Sequence, residues 1–171
     1  MPRVGIALGS NLGDRLAHLQ AAREALLEIA TPGEPFLQAA TYQTEPLLCP
    51  PGSPFFYNSV VEIAYDGDPF SLLGLTQSIE KKLGRIGTPE RNAPRIIDVD
   101  VLYFGDEIID TEALVLPHPR LGERRFVLQP LAEIRPDLVL PGRTRSVAGL
   151  LDHLLSDEPP LIRVSPAALQ K

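Results

Sequence analysis

The hydrophobic and polar positions of the chain follow two spacings, one typical of strands and one typical of helices. Four stretches are rich in apolar, β-branched and aromatic residues, and each ends at a turn or loop: 3–8, 36–44, 55–65 and 95–104. Two stretches have apolar residues at helical spacing, 14–30 and 69–83, and a proline opens the second. The order β-α-β-β-α-β predicts a ferredoxin-like split-βαβ fold of the α+β class, with a mainly antiparallel sheet and helices on one face.

Smaller elements are predicted after this unit. A short strand is expected near 107–110, and helices near 120–133 and 146–155 are expected to cover the remaining surface of the sheet. A chain of 171 residues is long enough for one domain with a substantial core. We therefore predict a single domain over residues 1–156, and a C-terminal tail over 157–171, which contains three prolines.

Composition limits the class of protein. Hydrophobic content of 44% is typical of a globular protein, and no apolar run approaches the roughly 18 residues of a membrane span. The N-terminal MPRVGIALGSN resembles a strand and a turn more than a signal peptide, so we expect a cytoplasmic protein without a membrane partner. We also expect a monomer. The single cysteine, Cys49, has no Cys or His at metal-ligand spacing and is interpreted as incidental.

Charge is unevenly distributed along the chain. The net charge of −6 argues against a nucleic-acid partner, because binding to many phosphates needs a basic surface. Basic residues nevertheless concentrate in two short stretches, 81–95 and 120–125. This distribution suits a small polyanion better than a duplex.

The stretch APRIIDVDVLYFG, residues 93–105, places two carboxylates in an apolar strand. Alternation predicts Ile96, Asp98, Asp100, Leu102 and Phe104 on one face, and Ile97, Val99, Val101 and Tyr103 on the other. Two residues of strand advance about 6.6 Å, so the two aspartates could converge on one or two hard cations such as Mg²⁺. The alternative is an edge strand that simply exposes acidic side chains.

Arginines lie close to this acid pair in the sequence. Arg85, Arg91 and Arg95 precede Asp98 and Asp100 within 15 residues, and guanidinium groups suit phosphate oxygens. Acids and arginines together indicate a Mg²⁺-polyphosphate ligand. The alternative is that the arginines pair with the two aspartates and with other acids on the surface.

Two further motifs leave their roles open. His118 lies between two prolines and just before Arg120, Arg124 and Arg125, so a phosphate contact and a structural hydrogen bond are equally plausible. The turn at residues 9–11, Gly-Ser-Asn, is best interpreted locally as a strand-to-helix turn. Neither G-x-x-x-x-G-K-[ST] nor G-x-G-x-x-G occurs, so a nucleotide would be bound without either phosphate loop.

Six motifs occur together and in order along residues 3–142. They are GSN at 9–11, YQTEPL at 42–47, FYN at 56–58, QSIE at 77–80, RNAPRIIDVDVL at 91–102 and LPHPRLGERRF at 116–126. With them the chain closely resembles the 6-hydroxymethyl-7,8-dihydropterin pyrophosphokinase family of folate biosynthesis. The resemblance implies an enzyme that transfers pyrophosphate from ATP to the hydroxymethyl group of the pterin and releases AMP.

The resemblance also implies roles for individual residues. Asp98 and Asp100 would bind two Mg²⁺ ions and form the catalytic set together with Arg85 and Arg95. The residues implied in ATP binding are Gln77, Glu80, Arg85, Arg95, Val101, Leu114, His118 and Arg124. Those implied in pterin binding are Thr44, Leu47, Phe56, Asn58 and Phe126. The chain departs from some members of the family at Glu45, Phe56, Gly87 and Asn92.

Two other functions remain as alternatives. A ferredoxin-like regulatory module would bind a small ligand without chemistry, and it would bind a nucleotide without depending on Mg²⁺. A metal-dependent phosphohydrolase would consume ATP when no pterin is present.

Overall fold

A six-stranded sheet forms the centre of the computed structural model, which describes residues 2–44, 55–84, 96–155 and 161–164. The strands are β1 Arg3–Ser10, β2 Leu37–Gln38, β3 Tyr42–Thr44, β4 Phe56–Ala64, β5 Asp98–Phe104, β6 Ile109–Asp110, β7 Val115–Leu116 and β8 Ile162–Arg163. The α-helices are α1 Arg15–Ile29, α2 Pro69–Lys82, α3 Arg125–Ile134 and α4 Val147–Asp152, and a 3-10 turn spans Leu121–Glu123.

The order of strands confirms the predicted fold class. The sheet runs β5-β1-β4-β3-β8, β2 also pairs with β4, and every one of these pairs is antiparallel. If β2 and β3 are counted as one interrupted strand, the four strands of the β-α-β-β-α-β unit lie in the order fourth, first, third, second. β6 and β7 form a separate two-stranded sheet.

The first two helices begin where the sequence provides a capping aspartate. The Asp14 carboxylate accepts a hydrogen bond from the Ala17 N–H at 3.1 Å, and α1 starts at the next residue. The Asp68 carboxylate accepts from the N–H groups of Phe70 and Ser71, both at 2.9 Å, and Pro69 occupies the first helical position. Both helices therefore start and end within one residue of the predicted bounds.

Two hydrophobic clusters lie on opposite faces of the sheet. On the face that we call the α1/α2 face, Leu19 and Leu26 of α1 and Leu72 of α2 pack against sheet residues such as Ile6 and Val61. On the α3/α4 face, α3 and α4 cover the other side of the same strands with Val127, Leu128, Leu131 and Val147. The late helices thus cover the second surface of the sheet, as predicted.

The second predicted strand is interrupted, so the prediction of one continuous strand over 36–44 was wrong. β2 and β3 both pair with β4, and the residues between them make hydrogen bonds that do not follow the regular pattern of strand pairing. The Ala39 N–H donates to the Val60 carbonyl at 2.9 Å, and the Ser59 hydroxyl donates to the Ala39 carbonyl at 3.0 Å. The Arg23 guanidinium of α1 donates to the buried Thr41 hydroxyl at 3.1 Å, so a helix side chain also bonds to this segment.

A bulge interrupts the alternation of β5. Gly5 pairs with Tyr103 but the next residue of β1, Ile6, pairs with Val101, so β5 has one extra residue at this point. Ile97, Val99 and Val101 lie in the α1/α2 cluster, as predicted, and Leu102 lies in the α3/α4 cluster. Beyond the bulge the predicted faces were wrong, because Tyr103 lies in the α3/α4 cluster and Phe104 in the α1/α2 cluster. Ile96, before the start of β5, also packs against the α1/α2 cluster and not on the predicted face.

Part of the predicted tail belongs to the sheet. Ile162 pairs with Gln43 and Arg163 with Tyr42, and the Val164 N–H donates to the Thr41 carbonyl at 2.8 Å. The division of the chain at residue 156 remains a prediction. Within the described part of the chain, no helix combines the length and the apolar character needed to cross a membrane.

Candidate active site

The strand register aligns predicted site residues in one row across the sheet. Asp98 pairs with Gly9, Gly9 with Asn58, and Asn58 with Tyr42. Paired residues point to the same face, and neighbouring strands lie about 4.8 Å apart, so the Asp98 and Asn58 backbones are about 10 Å apart with Gly9 between them. A Cβ on Gly9 would lie 2.9 Å from Asn58 Oδ1. Gly9 therefore leaves a space without a side chain between the Asp98 carboxylate and the Asn58 amide. We call the row of Asp98, Gly9, Asn58 and Tyr42 the glycine-floored row.

The predicted pterin residues lie around this floor. Asn58 Nδ2 donates to the Thr44 hydroxyl at 2.8 Å, and Thr44 pairs with Phe56 in the strand register. Phe126 lies in the first turn of α3 and packs against the α3/α4 cluster. Four of the five residues are thus on elements that share one face of the sheet, while Leu47 lies outside the described residues.

A cavity of about 410 Å³ lies beside the acid pair, between α2, β5 and residues 112–119. Six of the residues singled out from the sequence line it: Gln77, Glu80, Asp100, Val101, Leu114 and His118. The walls also include residues that the sequence did not indicate, among them Leu73, Glu112 and Val115. Val115 takes part in the pairing of β6 with β7, a contact for which the linear pattern offered no signal.

The outer edge of β5 forms one wall of this cavity. Glu80 Oε2 accepts the Val99 N–H at 2.8 Å, and the His118 N–H donates to the Leu102 carbonyl at 2.7 Å. These two bonds tie α2 and residues 112–119 to an edge that would otherwise expose its backbone groups. Val101 lies between them and lines the cavity.

His118 lines the cavity as a neutral ring. Burial, and then the charges of Arg124 and Arg120, lower the pKa of its imidazole below the usual value, so the ring is uncharged at pH 7. Its Nδ1 accepts the Arg120 N–H at 3.2 Å. The proton of the neutral ring is therefore on Nε2, which makes that atom a hydrogen-bond donor. His118 thus makes a structural hydrogen bond and also faces the cavity.

Arg124 lies within electrostatic reach of both acids. Burial and the charge of Arg120 lower the pKa of the Arg124 guanidinium, while Asp100, Glu123 and Asp98 act in the opposite direction. An arginine remains cationic at neutral pH in spite of such a shift. Its guanidinium carbon lies 5.4 Å from the centre of the Phe126 ring, so it also lies beside one of the residues predicted to bind the pterin. Arg85 and Arg95 lie outside the described residues.

The acid pair fits a cation that is shared with a ligand. Among the described residues, no cluster of three or more His, Cys, Asp or Glu side chains could hold a metal by itself. Asp100 is exposed and lines the cavity, and Asp98 lies two residues before it on the same strand. Mg²⁺ is often held by one or two carboxylates together with substrate phosphates, so this donor set suits a Mg²⁺-phosphate ligand.

The model of the family "7,8-dihydro-6-hydroxymethylpterin-pyrophosphokinase (HPPK)" matches residues 5–136. The chain belongs to the HPPK family. A Bacillus subtilis (strain 168) 2-amino-4-hydroxy-6-hydroxymethyldihydropteridine pyrophosphokinase is 48% identical over 130 residues, which is 75% of each chain. A Methylorubrum extorquens protein of the same name is 44% identical over 145 residues, which covers 84% of this chain and 89% of the relative.

Other HPPK relatives are longer proteins. The Folic acid synthesis protein fol1 of Pneumocystis carinii is 36% identical over 91% of this chain, but the chain spans only 20% of that protein. A solved structure of wild-type Plasmodium falciparum HPPK-DHPS with SDX-DHP has a TM-score of 0.69 at 15% identity, and the match covers 88% of this chain and 44% of the other. Similarity at that identity supports the fold, and the sequence matches support the family. The predicted family and fold class are confirmed, while the roles of individual residues remain predictions.

Proposed function

We propose that the chain transfers pyrophosphate from ATP to the hydroxymethyl group of 6-hydroxymethyl-7,8-dihydropterin in folate biosynthesis, and releases AMP. One observation carries this proposal. The cavity beside α2 and the glycine-floored row on the sheet adjoin at Asp98 and Asp100. Two ligands bound in these places would meet at the acid pair, as a reaction between a nucleotide and a flat heterocycle requires.

The cavity suits the nucleotide. A volume of about 410 Å³ is within the usual range of about 300–1,000 Å³ for small-molecule sites. Leu73, Leu114 and Val115 supply apolar surface for a base, while the Gln77 amide and the His118 Nε2–H supply polar contacts. The proposed ATP residues are therefore Gln77, Glu80, Val101, Leu114, His118 and Arg124, and from the family resemblance Arg85 and Arg95.

The glycine-floored row suits the pterin. Because Asn58 Nδ2 donates to Thr44, the amide oxygen Oδ1 faces the space above Gly9 and can accept a hydrogen bond from a ring N–H. Phe56 and Phe126 would provide aromatic faces on either side of the ring, and Leu47 would complete the pocket by resemblance. Stacking would supply affinity, and the buried amide would supply discrimination.

Asp98 and Asp100 would hold Mg²⁺, and we propose two ions as in other phosphoryl-transfer sites. When bound, the metal neutralises charge on the triphosphate and orients it. Arg124 lies close enough to both acids to contact the same phosphates from the side of α3.

The reaction needs no protein nucleophile. The hydroxymethyl oxygen forms a bond to the β-phosphorus, the bond from that phosphorus to the oxygen of the α-phosphate breaks, and AMP leaves while a proton is released. The chain contributes by holding the two substrates in line and by placing cationic and hydrogen-bonding groups around the phosphates. Both parts of the site come from one chain, so we propose a monomer that acts in the cytoplasm.

A product assay tests the proposal. The protein is incubated with ATP, Mg²⁺ and 6-hydroxymethyl-7,8-dihydropterin, and we expect AMP and pterin diphosphate in equal amounts, with little ATP consumed when the pterin is omitted. ADP as the main product would indicate transfer of the γ-phosphate and an ordinary kinase. Phosphate released without pterin would indicate a hydrolase, and unchanged ATP would favour a regulatory module.

A further inference from the structure

A buried carboxylate in β4 receives hydrogen bonds from three other elements. The Glu62 side chain is 0% exposed. It accepts from the Tyr103 hydroxyl, from Arg3 Nε at 2.8 Å, and from Arg135 Nη1 at 2.7 Å to Oε1 and 2.5 Å to Oε2. These donors occupy both carboxylate oxygens. Glu62 is not among the residues of the proposed substrate sites.

The Glu62 carboxylate is charged in the folded protein. Burial by itself would raise its pKa, but hydrogen bonds from Tyr103, Arg3 and Arg135 outweigh burial and lower the pKa. Burial and the neighbouring Glu62 raise the pKa of Tyr103, so its hydroxyl keeps its proton and remains a donor. Such a buried and fully bonded charge holds its partners in a defined geometry.

Two of these partners belong to the elements that carry the proposed phosphate site. Tyr103 lies on β5 three residues after Asp100, just beyond the bulge. Arg135 is the C-terminal cap of α3, and the N-terminal cap of the same helix is Arg124. A single carboxylate therefore connects the strand of the acid pair with the helix whose N-terminal cap is Arg124.

A glycine of β1, Gly5, allows Tyr103 to reach Glu62. Gly5 pairs with both Glu62 and Tyr103 in the strand register. A Cβ on Gly5 would lie 2.1 Å from the Tyr103 ring, so the ring passes directly over the Gly5 backbone. The bulge and this glycine together direct the Tyr103 hydroxyl to Glu62. A shift of β5 by one residue would move Asp98 and Asp100 to the other face of the sheet.

We propose that Glu62 is a positioning residue for pyrophosphate transfer, because through Tyr103 and Arg135 it sets the acid pair of β5 against the Arg124 end of α3. This inference rests on the proposed function of the site. Arg3 bonds to the same carboxylate from β1, six residues before Gly9, which corresponds to about 20 Å of strand. Arg3 therefore provides a matched control that is distant from the substrates.

The test compares Tyr103→Phe and Arg135→Met with Arg3→Met. Each variant removes one donor to Glu62, and the side chains of Arg3 and Arg135 are similarly exposed, 26% and 31%. We expect all three to lower Tm. We expect kcat at 25 °C to fall about tenfold in Tyr103→Phe and Arg135→Met, and less than twofold in Arg3→Met, because a misplacement of about 1 Å is enough for losses up to about 10²-fold.

The double variant Tyr103→Phe with Arg135→Met sharpens the test. Either change alone breaks the connection between β5 and α3 through Glu62. The kcat of the double variant should therefore be no lower than that of the less active single variant. Arg135→Lys should recover part of kcat, since its ammonium still pairs with the carboxylate, and it replaces Arg135→Met if that protein does not fold. Multiplied losses in the double variant would contradict a shared connection through Glu62.

A readout without turnover separates this inference from the proposed function. Calorimetry measures the affinity for an ATP analogue that has a methylene group between the α- and β-phosphorus, with and without Mg²⁺. We expect Tyr103→Phe and Arg135→Met to weaken only the Mg²⁺-dependent affinity, about fivefold, and Arg3→Met to leave it unchanged. Equal losses of kcat and of analogue affinity in all three variants would show that Glu62 only stabilises the fold. Formation of AMP and pterin diphosphate by the wild-type protein decides the proposed function independently.

Discussion

The α3/α4 face of the sheet has charged groups at both of its ends, and the two ends use them differently. At one end Glu62 is fully buried and accepts hydrogen bonds from Tyr103, Arg3 and Arg135. At the other end Asp100 is exposed and borders a cavity of about 410 Å³. A carboxylate surrounded by donors has no room for a ligand, whereas one at the edge of a cavity can take part in binding a substrate.

The largest expected effect on stability is that of Glu62→Ala. Removing this carboxylate leaves Arg3 and Arg135 without their buried partner, and the breaking of a buried ion pair typically costs about 3 to 5 kcal/mol. Urea denaturation should show a loss of this size in the free energy of unfolding. A loss below about 1 kcal/mol would show that the ion pairs of Glu62 with Arg3 and Arg135 contribute no more than surface salt bridges, whose contribution is usually small.

At the other end of the sheet, substitution of an acid is expected to lower activity and not stability. Asp98→Ala and Asp100→Ala should each lower kcat by about 10² to 10³, the usual cost of removing a group that stabilises charge in the transition state. The free energy of unfolding should not fall, because removal of one of two neighbouring like charges relieves repulsion in the metal-free protein. Asp110→Ala, at an exposed position on β6, is the control for loss of a carboxylate. Near-normal turnover by either variant at saturating Mg²⁺ would refute the assignment.

These two ends also differ in how far the sequence predicted them. Asp98 and Asp100 interrupt an apolar strand of alternating pattern, a local signal that the register confirms up to Val101. Glu62 also interrupts an apolar strand, but its partners are 41, 59 and 73 residues away along the chain, at Tyr103, Arg3 and Arg135. Nothing local indicates such contacts. The bulge that brings Tyr103 to Glu62 was not predicted either, so the predicted faces of Tyr103 and Phe104 were wrong.

The cavity beside α2 shows the same limit of prediction from the sequence. Gln77 and Glu80 lie one helical turn apart on α2, and the family resemblance indicated them together with Leu114 and His118. Glu112 and Val115 reach the cavity because residues 109–116 fold back as two short paired strands. A short strand was predicted near 107–110, but its partner Val115–Leu116 has too little pattern to be recognised in a sequence, so these contacts became visible only in the structure.

A smaller effect is expected from Phe126→Ala, which tests whether the pterin binds at the glycine-floored row. Aromatic stacking is worth on the order of 1 kcal/mol beyond burial, so pterin affinity should fall about fivefold or more while ATP affinity changes less than twofold. Calorimetry with each ligand measures both values. The control is Leu128→Ala on the same helix, which removes a fully buried side chain and should mainly lower Tm. Equal losses of affinity for the two ligands would assign Phe126 to the hydrophobic core.

The smallest expected effect concerns Tyr42, at the far side of the row that contains Asp98, Gly9 and Asn58. Its hydroxyl donates to Glu133 Oε1 at 2.6 Å, which ties β3 to α3. Burial, followed by the hydrogen bond to Glu133 and its charge, raises the pKa of Tyr42 to about 12.

An unfolded tyrosine loses its proton near pH 10, so the unfolded chain binds fewer protons than the folded one between about pH 10 and 12. The contribution of the Tyr42 hydroxyl to the stability of the fold is therefore complete below about pH 10, and it is lost as the pH rises towards 12. Between pH 9 and 12 the Tm of wild type should fall about 2 to 4 °C more than that of Tyr42→Phe, a shift that corresponds to about 1 kcal/mol. Parallel Tm curves for the two proteins would show that the bond to Glu133 does not hold the proton on Tyr42.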